Sequence, residues 1–189
     1  MKRWIPTLAI VPVLAAAAPA FDPEPFVRDV AHSQINFVAV SRLVDAHGTF
    51  DKWDADIQFD ADKVEATTFN ISIDAKSINT RIEMRDNHLR SNDFFAADSF
   101  PTITFKSAFI NKLSEDRINI TGDLTIRGQT KRVTIPARLV FFDKERKVGR
   151  VKGETTIIRQ DYGVSFQSPV NPIESEVKVQ FDVAFAAKK

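Results

Sequence analysis

The three histidines, His32, His47 and His88, are the side chains best suited to proton transfer or metal binding near neutral pH. They form no HxH or HExxH pair, so the spacing offers no local metal-binding motif. The chain contains no cysteine, which excludes disulfides, thiolate metal sites and a cysteine nucleophile. The six glycines form neither a GxSxG motif nor a phosphate-binding loop. The sequence therefore predicts no catalytic residue and no metal site.

Carboxylates are numerous but scattered along the chain. Asp86 and His88 are two positions apart, so on a helix their side chains would point in different directions. An acid–base pair needs both members within hydrogen-bonding reach of the reacting group. This spacing therefore gives no support for catalysis.

The composition narrows the function classes further. Lys plus Arg number 26 and Asp plus Glu 25, which gives a net charge of +1. A dedicated nucleic-acid binder needs a concentrated basic surface, so we expect no nucleic-acid partner. The chain has 16 Phe against 1 Tyr and 2 Trp, so its aromatic side chains are mostly apolar and provide hydrophobic volume.

Alternating apolar residues are the main indication of the fold that must position any site. In the clearest run, Val177, Val179, Phe181, Val183 and Phe185 alternate with polar residues or alanine. A two-residue period places one face of a strand in an apolar core and the other in water. Seven further segments alternate in the same way, at 35–39, 57–59, 69–73, 103–109, 118–126, 133–141 and 155–157. About eight strands with polar turns between them predict an all-β sandwich or antiparallel barrel.

One segment, residues 78–100, lacks this alternation. Ile82, Arg85 and Leu89 fit one face of a short helix, and Thr80 with Glu83 matches a capping box. The segment is too long for a hairpin turn, and long insertions in compact domains are often functional. We predict a short helical insertion near residues 80–97.

Residues 1–20 have the pattern of an export signal. Lys2 and Arg3 precede an uncharged apolar run, and Ala18-Pro19-Ala20 has the small-x-small pattern of a cleavage site. The run reaches only the lower end of the roughly 17–25 residues that a membrane-spanning helix needs, and prolines interrupt it. We expect cleavage after Ala20, a domain over residues 21–189, and a periplasmic or secreted location.

Several ordered motifs resemble the YceI-like polyisoprenoid-binding family over roughly residues 26–185. Those that carry the resemblance are Arg85-Asp86-Asn87-His88-Leu89, Ser91-Asn92-Asp93-Phe94-Phe95, Gly122-Asp123-Leu124-Thr125-Ile126-Arg127-Gly128 and Arg159-Gln160-Asp161-Tyr162-Gly163. The chain departs from the family where a histidine often precedes the Gly-x-Phe block, because Val40-Ser41-Arg42-Leu43 occupies that stretch.

The resemblance implies an extended, eight-stranded, lipocalin-like antiparallel barrel, exported in many bacteria. A long isoprenoid tail would lie in the lumen of this barrel. By this resemblance, the chain is similar to proteins that carry or store quinones, polyprenyl phosphates or fatty amides. No enzymatic activity is implied, and no cofactor other than a bound lipid such as ubiquinone or a polyprenyl phosphate. Transient membrane contact during loading is compatible with this role, and the sequence does not specify an oligomeric state.

Strand parity predicts which residues would form the wall of this lumen. They are Phe37, Phe59, Phe69, Ile71, Phe105, Leu124, Ile126, Leu139, Phe141, Phe181 and Val183. A register error of one residue would invert any of them. The candidate contacts for a lipid head group are Arg81, Arg85 and His88, whereas Asp86, Leu89 and Phe94 are interpreted as structural.

Three alternatives remain open at this point. The apolar residues are equally consistent with a solid core and with an open channel. A hydrolase could act on a lipid-linked substrate at the barrel mouth, around Asp86 and His88. A small outer-membrane barrel would also show alternating strands, but the domain has few of the Trp and Tyr residues that its aromatic girdles need.

Overall fold

The computed structural model describes residues 24–188, so the predicted export signal at 1–20 lies outside the described residues. The chain forms eleven strands, one α-helix and three short 3-10 helices. The strands are β1 (Glu24–Arg28), β2 (Gln34–Ser41), β3 (Ala46–Phe50), β4 (Trp53–Phe59), β5 (Thr68–Asp74), β6 (Ile78–Asn79), β7 (Thr102–Lys112), β8 (Arg117–Ile126), β9 (Gln129–Asp143), β10 (Val148–Ile158) and β11 (Ile173–Ala187). The helix is α1 (Glu83–Arg90). Among residues 24–188, no helix is long and apolar enough to span a membrane.

Eight of the strands close into an antiparallel barrel in the order β1-β4-β5-β7-β8-β9-β10-β11. Strand β1 completes the ring because Phe26 lies opposite Ile57 of β4 and opposite Ala187 of β11. Strand β11 continues past β1 and pairs with β2, and β2, β3 and β6 extend the wall at that end. The predicted all-β, eight-stranded barrel with a helical insertion is confirmed.

The alternation within strands decides which face is inside. In β4, Trp53, Ala55, Ile57 and Phe59 are buried, and the intervening Asp54 and Asp56 are exposed. Charged pairs such as Lys178 and Glu154, with 3.0 Å between Nζ and Oε1, lie on the outer surface. This orientation is opposite to that of an outer-membrane barrel, whose apolar face points outward.

Four phenylalanine rings close one end of the barrel, which we call the closed end. Phe26, Phe59, Phe142 and Phe185 form this aromatic cluster. The ring centroids of Phe59 and Phe142 are 4.7 Å apart, and those of Phe26 and Phe185 are 5.5 Å apart in an edge-to-face arrangement. Such contacts stabilise aromatic pairs beyond the area they bury. The four rings therefore pack against one another at this end of the barrel.

Helix α1 and the loop at 163–172 lie at the opposite end, which we call the open end. The predicted capping box is wrong, because the helix begins at Glu83 and its N-cap residue, Ile82, has no side-chain cap. The Thr80 hydroxyl and amide instead donate hydrogen bonds to the Asp86 carboxylate. The buried Asp86 carboxylate therefore binds the Thr80 hydroxyl, whose oxygen would accept a backbone N–H of the first turn in a capping box.

Candidate ligand-binding cavity

An apolar cavity of about 350 Å³ lies at the open end, between α1, the loop at 163–172 and the adjoining ends of β2, β3 and β11. We call it the outer cavity. Its apolar wall includes Phe37, Ala39, Leu89, Phe95, Val164 and Val177. Its polar wall consists of Ser41, Arg85, His88, Arg159, Ser168 and Asn171. The volume falls at the lower end of the roughly 300–1,000 Å³ found for small-molecule sites, which are also mostly apolar with a few polar groups.

A second apolar space of about 90 Å³ lies deeper in the barrel, and we call it the inner cavity. Six of the predicted wall residues line it: Phe69, Ile71, Phe105, Leu124, Phe181 and Val183. It is smaller than the roughly 150 Å³ apolar cavity that holds benzene in an engineered protein. A tail of several isoprene units therefore needs the surrounding rings to move before it reaches this depth.

The two cavities follow one another along the barrel. On β11, Val177 lines the outer cavity and Val179 lines the inner one. These side chains share a face and are separated along the strand by about 7 Å. On β2, Phe37 lines the outer cavity and Ile35 lines the inner one, so Phe37 lies on the side of the outer cavity that is nearer to the inner one.

The position of Phe37 depends on the glycine opposite it. Phe37 pairs with Gly48 of β3, and a Cβ atom at Gly48 would overlap the Phe37 ring. The missing side chain lets the ring lie against the backbone of the wall instead of pointing across the lumen. Glycine at this position therefore leaves room for the Phe37 ring in the wall of the outer cavity.

Arg85 and His88 are held at the cavity by neighbours from their own insertion. Arg85 donates from Nε to Thr80 Oγ1 at 2.8 Å and from Nη2 to the Thr80 carbonyl at 2.9 Å. His88 Nε2 lies 2.9 Å from Asp93 Oδ2. The imidazole also makes edge-to-face contacts with Phe94 and Phe166, at centroid distances of 5.0 and 4.9 Å. These three rings form part of the rim.

Arg159 is the most buried charged group in the wall of the outer cavity, with 4% of its surface exposed. Its guanidinium donates to four backbone carbonyls, those of Val164, Phe166, Ile173 and Glu174, at 2.7 to 3.1 Å. Burial lowers the pKa of Arg159 from its ordinary value, because the charged form loses hydration. The side chain fixes the loop at 163–172 onto the start of β11.

Residues 26–185 match the model of the YceI-like domain. The chain belongs to the YceI-like family. A UPF0312 protein from Azotobacter vinelandii is 30% identical over 189 residues, covering 97% of each chain. A UPF0312 protein from Vibrio cholerae is also 30% identical, covering 95% of this chain and 98% of its own.

Solved structures agree with this assignment. BcnA from Burkholderia cenocepacia has a TM-score of 0.77 at 26% identity, covering 83% of this chain and 98% of its own. The YceI protein of Campylobacter jejuni has a TM-score of 0.71 at 26% identity, covering 78% and 88%. A polyisoprenoid-binding domain from Saccharophagus degradans has the same fold, with a TM-score of 0.69 at 17% identity, covering 87% and 99%.

The other predicted wall residues of this YceI-like chain have different locations. Phe37 lines the outer cavity, and Phe59 belongs to the aromatic cluster at the closed end. Ile126 and Leu139 pack in the hydrophobic core and line neither cavity. The prediction for Phe141 is wrong, because this side chain is 49% exposed on the outer surface.

The cause of the Phe141 error is a β-bulge. The register between β9 and β10 shifts between Arg150 and Val151, so that Val151 pairs with Leu139 and Arg150 with Phe141. Val140 is the extra residue, and it reverses the facing of the residues that follow it. Phe142 therefore points inward, in the place that strict alternation assigns to Phe141.

Two of the three residues predicted to contact a lipid head group line the outer cavity, and the third does not. Arg85 and His88 line the outer cavity, as their place in the insertion suggested. Arg81 lies on the outer surface, where its backbone amide donates to Asn79 Oδ1 and its side chain is exposed. Arg81 has no part in the cavity wall. Its roles and those of Arg85 and His88 toward a ligand stay predictions.

Asp86 and Leu89 hold structural positions. Asp86 is 6% exposed and accepts hydrogen bonds from both donors of Thr80. Its carboxylate does not line the outer cavity, whereas Leu89 contributes an apolar side chain to it. Among residues 24–188, no group of three or more His, Cys, Asp and Glu residues is arranged to hold a metal ion.

Sequence reasoning missed two parts of the site. Arg159 belongs to the Arg159-Gln160-Asp161-Tyr162-Gly163 motif, but the sequence does not show that its guanidinium is buried and bonded to backbone carbonyls. The loop at 163–172 lacks a periodic pattern and gave no signal. Where family members often have a histidine, Ser41 accepts a 3.0 Å hydrogen bond from Asn171 Nδ2, and both residues line the cavity.

Proposed function

We propose that this protein binds a long isoprenoid or a similar amphipathic lipid, such as a quinone or a polyprenyl phosphate, and carries or stores it. The observation that carries this proposal is the apolar outer cavity, which opens at one end of the barrel and leads toward the inner cavity. Membership of the YceI-like family supports it. A neighbour with this fold is described as a polyisoprenoid-binding domain.

Burial of apolar surface supplies the affinity in this proposal. Each buried CH₂ group contributes about 0.8 kcal/mol, so a few isoprene units provide substantial binding without a specific bond. Ordering a flexible tail costs conformational entropy, which opposes this gain. A preformed apolar cavity reduces the total cost of ordering because its walls are already in place. The cavity therefore selects for an extended apolar tail, and the polar groups at its rim act on the head group.

The arrangement favours binding over catalysis. The hydrolase alternative needs Asp86 and His88 to act on one substrate, but Asp86 is buried against Thr80 outside the cavity wall. His88 is engaged with Asp93 on the rim. The two groups that could exchange a proton with a substrate therefore face different surroundings.

Loading from a membrane fits the chemistry of the rim. Leu43, Val44 and Val170 are exposed by 67%, 61% and 73%, and Val44 also lines the outer cavity. The loops that carry them are joined, because the Leu43 amide donates to Asn171 Oδ1 at 2.8 Å. We propose that this apolar rim rests on a lipid bilayer while a tail passes between membrane and cavity. The predicted export signal at 1–20 leads us to propose a periplasmic or secreted location.

The proposal is tested by a substitution that fills the outer cavity with a larger side chain. We expect Ala39→Trp to reduce uptake of ubiquinone at least tenfold, because the indole would occupy volume that the tail needs. Uptake is measured by native mass spectrometry and by equilibrium titration, first on protein purified from its own host and then with added ubiquinone. Val40→Trp is the matched control, because Val40 adjoins Ala39 on the same strand but lies outside the cavity wall.

Unchanged uptake by the folded Ala39→Trp variant would overturn this site. If Ala39→Trp does not fold, Val177→Phe fills the same cavity from β11. A wild-type protein that is consistently free of lipid and takes up neither ubiquinone nor a polyprenyl phosphate would remove the binding proposal itself.

A further inference from the structure

The wall of the outer cavity carries charge of one sign. Its ionisable side chains are Arg85, His88 and Arg159, and no aspartate or glutamate lines it within residues 24–188. In a mostly apolar space each charge acts over a longer range than in water, because the surroundings screen it weakly. The cavity therefore combines apolar walls with a positive electrostatic potential.

Arg159 is a buried cation whose hydrogen-bond acceptors are all uncharged. Its four bonds go to backbone carbonyls, and it forms no ion pair in the described part of the chain. A guanidinium has five N–H donors, and these four bonds leave one N–H on Nη2 without a partner. Burial of a cation costs free energy unless an opposite charge offsets the lost hydration. A bound anion would provide that offset.

Arg85 has more donors to spare. Thr80 takes one N–H from Nε and one from Nη2, which leaves three N–H groups of a half-buried guanidinium. The nearby carboxylate of Asp86 bonds to Thr80 and lies outside the cavity wall. His88, in contrast, already faces Asp93 Oδ2 at 2.9 Å. Arg85 and Arg159 are thus the two cations available to a guest.

We infer that the outer cavity selects amphiphiles with an anionic head group, a phosphate or a carboxylate, over neutral lipids with the same tail. This inference rests on the proposed lipid-binding function and adds the class of head group to it. Arginine suits the role because its planar donors match the oxygens of phosphate and carboxylate groups. The tail occupies the apolar cavity, and the head group lies between Arg85 and Arg159.

The experiment compares ligands that share an apolar tail and carry either an anionic or an uncharged head group. Geranylgeranyl phosphate and geranylgeraniol share one tail, and palmitate and hexadecanol form a second pair that distinguishes carboxylate from phosphate recognition. We expect the anionic member of at least one pair to bind about tenfold more tightly to the full-length chain, since charge-assisted hydrogen bonds are the stronger kind. Affinities are measured by isothermal titration at concentrations below micelle formation.

Substitutions distinguish recognition of the anionic head group in the cavity from general electrostatic attraction of an anion to the protein surface. Arg85→Gln should reduce the preference for the anion, measured as the ratio of the affinities for geranylgeranyl phosphate and geranylgeraniol, about tenfold. Arg81→Gln is the matched control, because it removes the same charge from the same segment but outside the cavity. Its preference for the anion should equal that of the unmodified protein.

The outcomes are distinguishable. Equal affinity for the charged and uncharged member of both pairs overturns the inference and leaves lipid binding intact. An equal loss of preference in Arg81→Gln and Arg85→Gln also overturns it, because a diffuse surface potential would then explain the selectivity. Failure of all four ligands to bind contradicts the proposed function itself.

Discussion

Individual buried polar side chains stabilise the open end of the barrel. Arg159 binds the loop at 163–172, and Asp86 binds Thr80 at the entry to α1. Both are almost fully buried, and both form hydrogen bonds to partners no more than 15 residues away along the chain. The rim of the cavity is therefore fixed by hydrogen bonds rather than by apolar packing alone.

Tyr162, the one tyrosine of the chain, offers a direct probe of this region. Burial, with a smaller contribution from the charge of Asp161, raises the pKa of its phenol to about 12. Because this pKa is above that of an unfolded tyrosine, the associated stability is complete below about pH 10 and is lost as the pH rises toward 12. We expect phenolate absorbance to appear near pH 12 in the folded protein, not near pH 10.

The control for this titration is Tyr162→Phe. Its free energy of unfolding should fall less between pH 10 and 12 than that of the unmodified protein, by an amount on the order of 2 kcal/mol. A phenolate signal that develops around pH 10, with the protein still folded, would contradict the burial of this side chain.

The sequence located several of these residues but not all of their partners. The motif around Arg85 marked the right segment, and Arg85 and His88 do line the cavity. The capping box failed because the Thr80 hydroxyl donates to Asp86 and accepts from Arg85 instead of accepting a backbone N–H of the helix. The sequence pattern does not reveal that Asp86 is buried beside it. The acceptors of Arg159 are backbone carbonyls. Every residue has a carbonyl, so the residue types in the sequence do not indicate which ones accept these bonds.

At the scale of elements, two bulges determine which phenylalanines face the core. In β7 the register shifts between Ser107 and Phe109, which leaves Phe109 49% exposed and turns Ile110 inward. In β9 the shift exposes Phe141 and turns Phe142 inward. Strict alternation predicted the strands themselves. It did not predict the bulges, because an inserted residue changes which face the following side chains occupy without changing which apolar residues the strand contains.

The bulge in β9 is testable with neighbouring residues. Phe142→Ala should lower the free energy of unfolding by about 3 kcal/mol, because it removes a ring from the aromatic cluster. Phe141→Ala should cost less than about 1 kcal/mol, because its ring is half exposed. Urea denaturation measures both, and a larger loss in Phe141→Ala would mean that the register is wrong.

At the scale of the whole molecule, ring closure and the position of the cavities depend on contacts distant in sequence. Alternation and ordered motifs predicted an eight-stranded barrel, and closure occurs through β1, a strand that the alternation did not reveal. The volume of the lumen was left open because it depends on ring positions, such as that of Phe37 over Gly48. The structure has both a filled closed end and an unfilled open end.

The orientation of the molecule on a membrane gives the last prediction. Leu43→Asp should reduce binding to vesicles of phosphatidylethanolamine and phosphatidylglycerol about tenfold, because it places a charge in the apolar rim. Vesicle flotation measures the bound fraction. Leu113→Asp is the control, since Leu113 is 62% exposed in the turn between β7 and β8, away from α1.

Equal flotation of the two variants would contradict docking through the rim. Lipid uptake from solution should be the same in both, so that a defect in docking is separated from a defect in the cavity.

In the proposed lipid-binding function, the aromatic cluster at the closed end determines how one lipid replaces another. Its four rings pack against one another, so we expect a lipid to enter and leave only at the open end, where an incoming molecule cannot displace the bound one from the opposite side. Replacement must wait for spontaneous departure, and its speed is set by the residence time of the first guest rather than by the abundance of the second.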